Sequence, residues 1–187
     1  VWGYGDPSMK STTTRILSLL VMFLMPVALV LTAVRILMTP AYLMVEYNTP
    51  GFPADRFGFS KEDRLFWANI AVDYLLNDEG IEYLGDLRFP ENQTTPPESC
   101  QFMDDCSRFY NDRELKHMLD VKNVVQVALM VWYISLISLI VLGIWARFGG
   151  WWEQYLRGLG RGGWLTVGLL AAILLFVLFA FGLIFVA

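Results

Sequence analysis

The sequence is short of charge, of cysteine and of histidine. Charged residues make up 17% of its 187 residues, whereas an ordinary soluble domain has about a quarter. The charged residues are distributed unevenly along the chain. Three long runs contain almost none of them, and the segment 39–122 contains most of them. This distribution excludes a soluble protein with a single core and a disordered chain. It indicates a small integral membrane protein with one extramembrane domain.

Three apolar runs are each long enough for a transmembrane helix, which needs about 20 residues. The first contains Pro26 and Arg35, the second has no charged residue and one glutamine, and the third has no charge at all. We therefore predict a membrane all-α fold with three transmembrane helices. A small domain of helices and loops is expected between the first helix and the second.

The distribution of charge predicts the orientation. The segment 39–122 has 16 acidic and 8 basic residues, a net charge of −8. The tail and the segment 147–163 are basic, so the positive-inside rule places both in the cytoplasm. An acidic outer domain also argues against nucleic acid as a partner. The predicted order is a cytoplasmic tail (1–15), a transmembrane helix (16–38), an extracytoplasmic domain (39–122), a second transmembrane helix (123–146), a cytoplasmic loop (147–163) and a third transmembrane helix (164–187).

Glycine and proline predict irregular structure in two places. Six glycines between residues 149 and 163 predict a flexible loop, and they lack the preceding strand of a nucleotide-binding pattern. The segment 40–59 is rich in proline, glycine and aromatic residues, which favours turns and extended chain over helix. Ser60 with Asp63 then predicts a helix start that ends near residues 77–80. Residues 81–89 are expected to form a short strand or a turn.

Only two cysteines are present, Cys100 and Cys106, and both lie in the predicted outer domain. In an oxidising compartment such a pair favours a disulfide. Metal binding is the weaker alternative, since the single histidine, His117, lies away from them. A single histidine also excludes a two-histidine metal site within these residues, and we expect no metal.

One long helix is predicted from about residue 112 to residue 146, beginning at Asn111 or Asp112, because no proline or glycine interrupts it before Gly143. It would be roughly 52 Å long, which exceeds the bilayer core of about 30 Å. His117 would stand about 10 Å above the apolar edge, at the level of lipid headgroups and ester bonds.

Glu114, His117 and Asp120 follow at intervals of three residues, so the two acids flank the histidine on one helix face. A carboxylate beside an imidazole can orient it as a base in nucleophilic or general-base catalysis. The alternative is an ordinary solvated helix end. Arg35 could hold an anionic group, or it could be a basic anchor that reaches the headgroups.

The order of span, aromatic-rich outer domain and second span, with Glu-x-x-His-Met-x-Asp-Val-Lys at residues 114–122, resembles a family of bacterial integral membrane proteins. That family includes the lipoprotein intramolecular transacylase, Lit. The resemblance implies a site in the bacterial cytoplasmic membrane and an enzyme that moves the sn-2 acyl chain of a diacylglyceryl-cysteine lipoprotein to its α-amine. It implies membrane lipids and diacylated lipoproteins as partners, and no cofactor.

The resemblance also implies residue roles. His117 would be the base that deprotonates the ammonium, and Asp120 or Glu114 would orient it. Lys122 or Arg35 would place positive charge near an oxyanion. Members of the family continue past the third span to an outer loop with a Phe-His motif and a fourth span. We therefore expect the sequence to be incomplete and the whole protein to have four spans.

The sequence leaves two other functions as alternatives, an accessory subunit and a channel or transporter. A non-enzymatic accessory subunit of a respiratory or photosynthetic membrane complex would suit the aromatic content of 15%, with His117 as a haem or chlorin ligand in the least favoured form. A channel or transporter is disfavoured, because Arg35 is the one ionisable residue inside the predicted spans.

Overall fold

The structure, a computed structural model, describes residues 7–55, 58–89, 100 and 104–186, with side chains from residue 12 to residue 181 within these ranges. In the described residues it contains six helices and no strand. The helices are α1 (Pro7–Leu37), α2 (Pro40–Tyr47), α3 (Lys61–Leu76), α4 (Glu82–Gly85), α5 (Asp112–Gly149) and α6 (Trp152–Val186). The chain forms two compact units, the three-helix unit (residues 1–33 and 131–187) and the central unit (residues 34–130).

Three helices are long and apolar enough to cross a membrane: Thr12–Leu37 within α1, all of α5, and Trp152–Phe181 within α6. Most of their apolar side chains are exposed, as Phe23 and Ile140 show at 60% each. Such exposure is unfavourable in water and is expected for helices in contact with lipid. These helices confirm the prediction of an all-helical, multi-pass membrane protein.

The predicted flexible loop at 147–163 is wrong. Helix α6 begins at Trp152, so only Gly150 and Trp151 separate it from α5, and Gly150 makes the turn with a φ of +75°. A Cβ on Gly158 would lie 2.8 Å from the Ser18 carbonyl oxygen, and one on Gly162 would lie 2.8 Å from the Met22 carbonyl oxygen. These glycines therefore let α6 pack closely against α1, as small residues four apart do between membrane helices.

Polar contacts also join the helices of the three-helix unit. Trp132 Nε1 donates to Thr32 Oγ1 at 2.9 Å, and the Tyr155 hydroxyl donates to the Leu139 carbonyl oxygen at 3.0 Å. Hydrogen bonds of this kind stabilise helix association where water is absent. The buried apolar residues around them are Val21, Ala28, Leu139, Leu142, Ala146, Trp151 and Tyr155.

In the central unit, the expectation of turns and extended chain throughout 40–59 is wrong at its start, where α2 forms. Pro40 occupies the first helical position, where its missing N–H costs nothing. Thr39 caps the helix, because its hydroxyl accepts a hydrogen bond from the Tyr42 N–H at 3.2 Å. The other prolines and the glycines come after Tyr47, so they end the helix and do not interrupt it.

Helix α3 begins as predicted. Ser60 Oγ accepts from the Asp63 N–H, and Asp63 Oδ2 accepts from the Ser60 N–H, both at 3.0 Å. This reciprocal pair is a capping box. After α3, the one-turn helix α4 occupies part of 81–89, where a strand or a turn was expected. An isolated antiparallel bridge between Arg88 and Arg108 follows it.

Helix α5 is continuous from Asp112 to Gly149, which confirms the prediction of one long helix. Its start is a second capping box, because Asn111 Oδ1 accepts from the Glu114 N–H and Glu114 Oε2 accepts from the Asn111 N–H, both at 2.9 Å. The first turns of α5 pack on α3 and α4 around buried Tyr74, Leu84 and Leu115. This packing fixes which face of α5 points away from the central unit.

Candidate functional site

The face of α5 that packs against α3 and α4, called the inner face below, contacts the end of helix α3. The opposite face is called the outer face. Lys122 is only 8% exposed, and its Nζ donates to Asn77 Oδ1 at 3.1 Å and to the Glu79 carbonyl oxygen at 2.6 Å. The same ammonium lies 4.2 Å from the centre of the Tyr74 ring. Gln126 Nε2 donates to the Leu75 carbonyl oxygen at 3.0 Å.

The Gln126 bond satisfies a carbonyl group that the last turn of α3 leaves free, and the lysine charge beside the helix end complements the dipole of α3. The ammonium of Lys122 is therefore occupied by the end of α3 and the segment after it. Lys122 and His117 are five residues apart, which separates them by about 140° around α5. The structure does not bring these two predicted site residues together.

His117 and Asp120 lie on the outer face of α5, and both are exposed. Three residues separate them, so they are about 60° apart around the helix. Among the residues that the structure describes, none forms a hydrogen bond or an ion pair with either side chain. Their side chains are therefore exposed and without a hydrogen bond within that part of the chain.

Glu114 has a structural role in this arrangement. Its Oε2 accepts from the Asn111 N–H in the capping box that starts α5. A carboxylate in the first turn also complements the helix dipole. The carboxylate of Glu114 is therefore engaged in this cap, whereas Asp120 has no hydrogen bond or ion pair within the described residues.

Arg35 lies in the last turn of α1, and its Nη1 donates to the Met38 carbonyl oxygen at 3.2 Å. This bond satisfies a carbonyl group just beyond the helix end, where a cation is favourable. Within the described part of the chain, no hydrogen bond or ion pair joins Arg35 to His117, Asp120 or Lys122.

Cys100 and Cys106 form a disulfide in the structure. Polar contacts join residues 105–108, around Cys106, to each other and to the start of α5. The N–H and hydroxyl of Ser107 donate to Asp105 Oδ1 at 2.9 and 2.7 Å, and these bonds, with Arg88 and Arg108 nearby, lower the pKa of Asp105. Arg108 also pairs with Asp112 at 3.0 Å, which ties the segment to the first turn of α5.

The central unit contains an aromatic groove that was not predicted from the sequence. Two cavities of about 430 and 240 Å³ share Tyr47, Phe59 and Arg64 in their linings. The Arg64 guanidinium lies 4.6 Å from the centre of the Phe52 ring, and its Nη1 donates to the Pro53 carbonyl oxygen at 2.9 Å. The groove thus combines aromatic walls with charged side chains, since Lys61 and Asp55 also line the larger cavity, and this suits a ligand with an apolar chain and a polar group. The aromatic residues between 42 and 59 were the available signal for it.

Tyr110 lines the smaller cavity, directly before the start of α5. Burial raises its pKa, and the carboxylate of Glu114 raises it further. The phenol therefore stays protonated near neutral pH. It can donate a hydrogen bond in the groove, but it is not a base.

A comparison with known protein families identifies the family of this chain. The model of the lipoprotein intramolecular transacylase family, Lit, matches residues 17–187. This chain belongs to the Lit family. The match confirms the resemblance carried by residues 114–122 and their place before an apolar helix, and it makes this a Lit-type membrane protein.

One relative of this chain among curated proteins is an uncharacterised protein of Aquifex aeolicus (strain VF5). The two are 29% identical over 108 residues, which is 58% of this chain and 44% of that protein. The chain therefore spans less than half the length of this relative. No solved structure matches the chain.

Proposed function

We propose that this Lit-family protein is a membrane acyltransferase that acts on bacterial lipoproteins. Its substrate is the diacylglyceryl group on the N-terminal cysteine, and its product is the lyso form with an acyl chain on the α-amine. The observation that carries the proposal is the family match over residues 17–187. The three apolar helices support it, because the substrate's acyl chains are held in a membrane.

His117 is the proposed base. It takes a proton from the cysteine α-ammonium, and the freed amine attacks the carbonyl carbon of the sn-2 ester. This attack forms the C–N bond, and the tetrahedral intermediate then collapses as the C–O bond to glycerol breaks. The imidazolium gives its proton to the leaving glycerol oxygen, and the neutral imidazole then takes the second proton from the nitrogen and releases it to water. The ammonium and the ester thus become an amide, an alcohol and one free proton, and no water is consumed.

The surroundings of His117 support this role. It is the only histidine in the chain, it is exposed, and it stands seven residues before the apolar run that begins at Val124. Seven residues of helix correspond to about 10 Å, which suits an ester at the membrane surface. Asp120 is the proposed orienting residue. The proposed topology places residues 39–122 outside and the turn between α5 and α6 in the cytoplasm, where Arg147, Arg157 and Arg161 lie nearby in sequence.

The experiment expresses the full-length protein in a bacterial host that lacks lipoprotein N-acylation, together with a reporter lipoprotein. The acyl shift is intramolecular, so the intact mass of the lipopeptide stays the same. Tandem mass spectrometry distinguishes the two forms, because only the product gives an N-terminal fragment with an acyl amide. We expect that fragment when the protein is present. A reporter that stays entirely in the diacylglyceryl form would contradict the proposal.

The accessory-subunit hypothesis predicts a different result from the same cells. Purification in a mild detergent would then yield a stoichiometric complex with redox or pigment-binding subunits, and the reporter would not change. Purification of this protein without such subunits, together with acyl transfer, would exclude this alternative.

A further inference from the structure

A basic cavity of about 510 Å³ lies within the three-helix unit, between α1 and the first turns of α6. Its size is in the usual range of small-molecule sites, about 300–1,000 Å³. The residues that line it are mostly polar or cationic: Thr14, Arg15, Ser18, Leu19, Gln154, Arg157 and Arg161.

Three arginines, Arg15, Arg157 and Arg161, line this cavity and no acidic residue does. In the described part of the chain, none of the three forms an ion pair with a carboxylate. The nearest acid in sequence is Glu153, and Arg157 Nε donates to its backbone oxygen at 3.4 Å, not to its carboxylate. Three like charges around one cavity repel each other, and an anion would offset that repulsion.

Hydrogen bonds fix the walls between the arginines. Ser18 Oγ donates to the Gln154 carbonyl oxygen at 2.8 Å, which joins α1 to the first turn of α6. The close approach of Gly158 to the Ser18 backbone holds the two helices together one turn further along. The cavity is therefore bounded by packed helices, although the arginine side chains themselves are exposed.

The cavity lies where two apolar helices become polar. Arg15 directly precedes the apolar run that begins at Ile16, and Arg161 precedes the run that begins at Trp164. Trp152 and Trp164 are exposed on α6 on either side of the arginines, as is usual at the membrane interface. Phosphate groups of lipids lie at this level, and basic pockets between membrane helices bind anionic headgroups.

We propose that this cavity binds the phosphate of an anionic phospholipid such as phosphatidylglycerol. Guanidinium groups suit this ligand, because each can donate two parallel hydrogen bonds to phosphate oxygens. The lipid phosphate bridges α1 and α6 through Arg15, Arg157 and Arg161. No residue of α5 lines this cavity. Lipid binding here can therefore be tested independently of the proposed acyl transfer.

The test is native mass spectrometry of the full-length protein in detergent, titrated with phosphatidylglycerol or phosphatidylcholine. The wild-type protein is expected to bind phosphatidylglycerol preferentially. The double variant Arg157→Gln, Arg161→Gln should weaken that binding by about tenfold or more and leave phosphatidylcholine binding unchanged. The single variant Arg15→Gln, on the other helix, should weaken it in the same direction and serves if the double variant does not fold.

Arg147→Gln is the matched control, since Arg147 is an exposed arginine near the same helix turn that does not line the cavity. It should keep wild-type phosphatidylglycerol binding. An equal loss in this control would mean that net charge alone attracts the lipid, and would overturn the proposal. A third arm adds inorganic phosphate: displacement of the lipid at equal concentration would show a free-anion site and contradict the lipid assignment.

Discussion

The two faces of the first turns of α5 use their polar residues in opposite ways. On the inner face, Lys122 and Gln126 donate to the end of α3 and the segment after it, and Lys122 is almost fully buried. On the outer face, His117 and Asp120 are exposed and have no partner among the described residues. Residues close together on one helix therefore differ in role according to the face they occupy. The polar groups of the inner face have fixed partners and stabilise the fold. The two outer-face residues, which have none within the described part of the chain, are the ones that we propose for catalysis.

Loss of His117 should have the largest effect. His117→Gln removes the proposed base without disturbing any described contact, so acyl transfer should fall by about a hundredfold or more. The thermal midpoint in detergent should stay at the wild-type value, since no bond is lost. The measurement is the fraction of reporter lipoprotein in the N-acyl form, with the thermal midpoint read on the same purified variant.

Loss of Lys122 should show the opposite pattern. Lys122→Met keeps the apolar stem but removes the donor to the Glu79 carbonyl oxygen and one of the two donors to Asn77 Oδ1, which keeps the Glu79 N–H. Stability should therefore fall by about 1–3 kcal/mol. Thermal or denaturant unfolding in detergent measures this. Lys116→Met is the control, because Lys116 is exposed on α5 and makes no described contact; an equal loss there would contradict the inner-face role.

A smaller loss of stability is expected for a substitution in α6, where some glycines lie against α1 and others do not. Gly162→Ala places a Cβ against the Met22 backbone and the Met25 side chain, which costs about 1–3 kcal/mol. Part of this is offset by the better helix propensity of alanine, by up to about 1 kcal/mol. Gly160→Ala is the control, because a Cβ there meets nothing within 4 Å. If both variants unfold at the same temperature, the close packing of α6 on α1 is wrong.

The smallest effect is expected at Asp105, whose pKa is lowered by hydrogen bonds from Ser107. Its pKa is lower in the folded protein than in the unfolded chain, so its contribution to stability is complete above about pH 4 and is lost as the pH falls through the folded pKa. Asp105→Asn should reduce the slope of the thermal midpoint against pH on this acid side, and Ser107→Ala should do so less. A variant slope identical to the wild-type slope would show that the carboxylate does not contribute.

Local patterns in the sequence predicted the parts of the fold that depend on local physics. The lengths of the apolar runs predicted three membrane helices, and Ser60 with Asp63 predicted the start of α3. The absence of proline and glycine after Asn111 predicted that α5 is continuous. Each of these depends on neighbouring residues along the chain.

The failures concern residues whose role depends on distant parts of the chain. Gly158 and Gly162 were interpreted as loop residues, because the sequence does not show that α1 packs against α6 at these positions. Lys122 looked like part of a site with His117, because the pattern in residues 114–122 does not reveal that α3 ends beside α5. The groove around Arg64 combines residues from 47 to 110, and no short motif contains them.

We propose that the outer face of α5 carries the catalytic residues and that the inner face stabilises the fold. The most direct test is the amount of N-acylated reporter lipoprotein per amount of folded protein, compared between His117→Gln and Lys122→Met. We expect a value at least about a hundredfold below wild type for His117→Gln and near wild type for Lys122→Met. Wild-type activity per folded protein in His117→Gln would contradict it.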